Sequence, residues 1–216
     1  MTLAPATLKR METTGNIRDA IAAERRELAD LLDDLTPHSG THPSLCAGVA
    51  GAGSRDAHVP GSATAARTLA RLSAAAAARM TDRLARADAA TASTAQLAAY
   101  LRDNAHHPWK PPVGGLTAAL GHDVIHGLDI TVALGLDRRV PEDRIRTLLD
   151  TIDARTLKFF GADLTGIQLR ADDLDWSYGT GTPLTGAAQD LLLLAYGRKL
   201  PPGRLHGEAG GRFVTA

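Results

Sequence analysis

Between Asn16 and Pro37, the residues Ile17, Ile21, Leu28, Leu31, Leu32 and Leu35 recur at the spacing that gathers them on one face of an α-helix. Asn16 can cap the start of this helix and Pro37 stops it. The charged residues of its AERRELADLLDD stretch read as the solvated face. The same period returns in an Ala-rich stretch from Ala63 to Ala90, which Ser62 can cap and in which Leu69, Leu72, Met80 and Leu84 form the inward stripe. A chain that repeats this pattern must bury helix against helix. Composition agrees, because aromatic residues are only 4% while alanine is abundant, a balance that suits close-packed helices better than sheets.

Further along, Thr94 can cap a helix that runs to about Asn104. The segment HHPWKPPVGG (His106 to Gly115) then has to be a loop, since its prolines and glycines cannot sustain a helix. From Leu116 to Leu134 apolar residues, among them Leu120, Val124, Ile125, Leu128, Ile130 and Val132, fall on nearly every face, as expected for a helix enclosed by others. Pro141 suits the first turn of a following helix bearing Ile145, Leu148, Leu149, Ile152 and Leu157. After Gly161 the period shortens: Ile167, Leu169 and Ala171 alternate with polar residues, as do Leu174, Trp176 and Tyr178, which predicts a short β-hairpin. A last helix is expected from Gly186 to Gly197. The fold class is therefore mainly α, with residues 1–15 as a flexible tail, a helical bundle over 16–160 and a small C-terminal cap of β-hairpin and helix over 161–216.

At 216 residues the chain can bury a real core without staples. Lys plus Arg and Asp plus Glu stand at 24 each, so there is no net field to gather nucleic acid or an anionic membrane. The longest strongly apolar run, Leu191 to Tyr196, is far short of the roughly 20 residues of a membrane span. Cys46 is the single cysteine, and the start MTLAPATLKR lacks the apolar core of a secretory signal. The expected location is the cytoplasm.

The chemistry concentrates in GHDVIHGLDI. His122 and His126 are four residues apart, so on a helix they lie one turn above the other and can direct imidazole nitrogens at one point. A zinc-like ion takes three or four N, O or S ligands, and two helical histidines supply half of such a set. Asp129 could accept a hydrogen bond from a ligand imidazole and fix its tautomer, whereas Asp123 is expected to point elsewhere. The plain alternative is a pair of core histidines bonded to carbonyls or water. His106 and His107 fit a loop over the bundle mouth better than a ligand role. Cys46 reads as a buried structural residue, and His38, His42 and His206 carry no pattern.

Taken together, IRDAIAAERRELADLLDDL, PSLCAG, PWKPPVGG, GHDVIHGLDITVALGL followed by VPEDRI, and GIQLRADDLDWSYGTGTPLTGAAQDLLLLAYGR resemble, in order and spacing, a known family. These are the mycothiol-dependent maleylpyruvate isomerase-like proteins of the DinB four-helix-bundle superfamily, and the resemblance spans nearly the whole chain. It implies a DinB-like bundle and a divalent metal, zinc or nickel, held by three side chains that fall here on His58, His122 and His126. At the first of these the chain departs from the pattern. Family members run from CAGW into a regular helix of the form VRDVxAHL, whereas this chain has CAGVAGAGSRDAHV. The Trp is absent, glycines intervene and the step from Arg55 and Asp56 to His58 is shortened. Pro60 also biases Val59 away from helical dihedrals. A displaced third ligand, a weakened metal site and a damaged gene copy are all compatible with that change.

The resemblance further implies mycothiol, the small thiol of actinobacteria, as cofactor or co-substrate, and a small electrophile as substrate for an isomerase or S-transferase. Such an enzyme would work as a monomer or homodimer, with no nucleic acid or membrane partner. Two rivals stand beside it: a non-catalytic DinB-like binding protein, and a metal-dependent hydrolase or lyase that uses metal-bound water and no thiol.

Overall fold

The computed structural model describes residues 5–34, 93–111 and 113–215. Among them the chain is mainly helical with one small four-stranded sheet. The described residues divide into two compact units, one up to Gly127 and one from Leu128. The expected Ser62-capped helix, Cys46, His38, His42 and His58 lie outside the described residues.

In the first unit, helix α1 spans Pro5–Asp34. It begins at Pro5 rather than near Asn16, so residues 5–15 are helix and not the expected tail. Proline is favoured in a first helical turn, where its missing N–H would have no intrahelical partner anyway, and Ala6, Leu8, Lys9, Arg10, Met11 and Glu12 are good helix formers. Ile21, Leu28 and Leu32 are buried as their spacing requires. Glu24 and Arg25 are buried with them, while Arg26, Glu27, Asp30, Asp33 and Asp34 face solvent. The charged stretch is thus not wholly a solvated face, because Arg25 falls on the same helical stripe as Ile21, Leu28 and Leu32.

Helix α2 spans Thr94–Asp103 and packs on α1 through Leu97, Ala98 and Leu101. Its cap is Ser93 rather than Thr94: the Ser93 hydroxyl accepts from Gln96 N at 3.2 Å and Gln96 Oε1 accepts from Ser93 N at 2.8 Å, a reciprocal capping box. The loop that follows ends at Gly114, whose φ of 86° and whose closeness to Ala118, 2.6 Å from where a Cβ would lie, require glycine. Helix α3 then spans Gly115–Ala133, buried on nearly every face as its sequence predicts. The division between the units falls within it, between Gly127 and Leu128.

In the second unit the expected single helix after Pro141 is two. Helix α4 spans Glu142–Leu149 and α5 spans Ala154–Phe160. Asp153 restarts the helix by accepting from Thr156 N at 2.7 Å, and Gly161, in the left-handed region, ends it. Strands β1 (Ile167–Ala171) and β2 (Ser177–Gly179) form the expected antiparallel pair. A third strand, β3 (Thr182–Gly186), runs parallel to β1 on its other side and pairs with the short β4 (Leu205–His206), giving the order β2-β1-β3-β4.

Helix α6 (Ala188–Ala195) is buried along its whole length, and Leu191 and Leu194 join Leu164, Ile167, Leu169 and Leu184 in the core. A 3-10 helix, Glu208–Phe213, follows β4. Helices α4 and α5 group with this sheet rather than with residues 16–127, a different partition from the expected boundary after residue 160. Both helices pack on α6, and Gln189 of α6 also donates to Arg138 O at 2.9 Å and accepts from Val140 N at 3.2 Å. No helix among the described residues is long and apolar enough to cross a membrane.

Candidate metal site on helix α3

The pitch of α3 sets His122 and His126 one turn apart, and their rings are neighbours, with centroids 4.7 Å apart and planes at 74°. Both side chains are half-buried, and Nδ1 of His126 is fully buried. Trp109 stands edge-on to His122 with ring centroids 5.1 Å apart. The Pro- and Gly-rich loop therefore lies against the histidine pair, and its own histidines serve it: His107 Nδ1 accepts from Trp109 N at 3.2 Å, and His106 meets Arg26 of α1.

Asp123, expected to point elsewhere, engages the pair. Its Oδ1 lies 3.3 Å from His122 Nδ1, and its Oδ2 accepts from Arg25 Nε at 2.9 Å. An ionised carboxylate can only accept, so Nδ1 of His122 is the donor in this contact. The Arg25 and Asp123 side chains are 1% and 2% exposed, so this is a buried ion pair from which water is excluded. Asp129, expected to support a ligand imidazole, carries an ion pair. Both of its oxygens receive the guanidinium of Arg198, Nε at 3.0 Å and Nη2 at 2.8 Å, in a bidentate fork. A carboxylate contact at His122 is made by Asp123.

His122 and His126 are thus ring neighbours on one face of α3. Among the described residues no group of three His, Cys, Asp or Glu side chains is placed to hold an ion, and His58 lies outside them. Arg25, Asp123 and Trp109 are the residues at this site that the sequence reading did not assign to it. The helical phase of Arg25 was a signal for it. Asp123 had none, because adjacent helical residues do not normally face one another. Comparison with protein-family models, with curated proteins and with solved structures found no match.

Proposed function

We propose that this chain is a DinB-like four-helix-bundle metalloenzyme in which His122 and His126, with His58, hold a divalent ion, zinc or nickel, that activates the thiol of mycothiol toward a small electrophile. The observation that supports it is the ring pair of His122 and His126, with the Asp123 carboxylate on the Nδ1 of His122. Neutral imidazole nitrogens are the ligands such ions prefer, and a carboxylate on the remote nitrogen is the usual support for a ligand histidine. When bound, the cation supplies thiolate: a free thiol of pKa about 8.5 is only slightly ionised at neutral pH, and coordination deprotonates it. The protein's part is to orient. Asp123 keeps the proton of His122 on Nδ1, and the edge of Trp109 covers one side of that ring. Mycothiol rests on the family resemblance of the sequence, and a thiolate presented in this way serves a cis-trans isomerase or an S-transferase equally well.

Metal content and thiol dependence test the reading. Purified protein is expected to carry near-stoichiometric zinc or nickel, His126→Ala is expected to lose it, and turnover of an activated double bond is expected only when mycothiol is added. A protein with no affinity for divalent ions at neutral pH is instead the binding module. Turnover in thiol-free buffer identifies the hydrolase or lyase.

A further inference from the structure

We propose that Arg25 is a positioning residue of this site: acting through Asp123, it holds His122 with Nε2 directed outward, and it ties the Trp109 loop to the same point. The inference rests on the reading of His122 and His126 as metal ligands. Arg25 donates from Nε to Asp123 Oδ2 at 2.9 Å and from Nη1 to the carbonyls of Asn104 at 3.0 Å, Ala105 at 3.3 Å and His107 at 3.0 Å. Those carbonyls belong to the C-cap of α2 and the residues just past it, at the negative end of the helix dipole. A single guanidinium on α1 therefore joins the C-cap of α2 and the first residues of the loop that carries Trp109 to a carboxylate on α3.

A buried ion pair that only braced three helices would have no need of the histidine. Here the carboxylate is shared: one oxygen goes to Arg25 and the other to the Nδ1 of His122. Arginine suits this place better than lysine, because its planar fork sets direction as well as charge. With one oxygen anchored by Nε, the plane of the Asp123 carboxylate is set, and its second oxygen is aimed at the ring. Replacing Arg25 leaves that carboxylate without its anchor, and the preference of His122 for the Nδ1–H tautomer weakens with it. Lost support of this kind at a ligand histidine typically lowers metal affinity about 10- to 100-fold.

The experiment uses the full chain with two readouts: zinc affinity by competition with a chromophoric chelator, and the His122 tautomer in metal-free protein from the ¹⁵N shifts of its ring at fixed pH. Arg25→Gln and Asp123→Asn are each expected to weaken zinc binding about 10- to 100-fold and to deplete the Nδ1–H form. The double variant is expected to bind no worse than Asp123→Asn alone, since Arg25 acts through Asp123. Arg25→Lys, which keeps the charge but not the fork, is expected to fall between wild type and Arg25→Gln. It carries the test if Arg25→Gln does not fold. Wild-type zinc affinity and an unchanged tautomer in a folded Arg25 variant overturn the proposal, as do losses that simply add in the double variant. Should the wild type bind no zinc, the metal reading fails alone, and the tautomer comparison still decides the role of Arg25.

Discussion

Asp190 is buried in the first turn of α6, with Arg204 Nη1 donating to its Oδ1 at 2.9 Å. Burial raises its carboxyl above the ordinary range, and Arg204 and Arg139 only partly counter that. A carboxyl raised on folding contributes stability that is fully present below its unfolded-state value and is lost as the pH climbs through its folded-state value. Asp190→Asn should therefore gain on wild type as pH increases across the acid range, in urea unfolding followed at a series of pH values. A stability difference that stays constant, or that moves in favour of wild type as pH rises, contradicts the assignment. At this same scale, His122 and His126 were legible as ring neighbours because two histidines at a helical interval state a geometry. Arg25 was half legible: its phase matched Ile21, Leu28 and Leu32, but its charge argued for solvent. Asp123 was not legible, since its orientation is imposed by an arginine on another helix, remote in sequence.

Ser93 shows how much an element owes to its ends. The hydroxyl of Ser93 and the side chain of Gln96 bond reciprocally across the first turn of α2, whose Asn104 carbonyl at the far end is held by Arg25. Ser93→Ala is expected to cost about 1 kcal/mol, and Ser93→Gly a few tenths, read as a shift in urea midpoint by Trp109 fluorescence. Periodic elements were readable from the chain: α3 and the pairing of β1 with β2 appear where the residue spacing puts them. Strand β3 was hidden by Gly181 and Pro183, which usually mark a turn. Pro183 is tolerated because the pairing of β3 with β4 begins only at Thr185. The split of α4 from α5 was hidden because Ile152 and Leu157 continue the apolar period across it, while the Asp153 cap interrupts the backbone.

For the molecule as a whole, each unit has one of the two tryptophans: Trp109 beside His122 in the first, and Trp176 against the sheet core of the second. Leu191 lies in that second core with no exposure. Truncating it should leave a cavity, and Leu191→Ala is expected to destabilise its unit by about 3 kcal/mol, followed through Trp176 in urea. The division of the chain was the least legible feature, because it follows from α4 and α5 packing on α6, far along the chain, and no local pattern announces such contacts. The route from β2 to β3 is more demanding still. It rounds the start of β1 at Gly181, with a φ of 131°, where a Cβ would fall on the Gly166 carbonyl that already accepts from Thr182 N at 2.8 Å. Every amino acid that a one-base change of a glycine codon can encode sets an atom on that oxygen. The connectivity of the sheet is therefore guarded by a position at which every missense change meets a backbone oxygen, and drift can reach another residue there only after the strands beside it have been rebuilt.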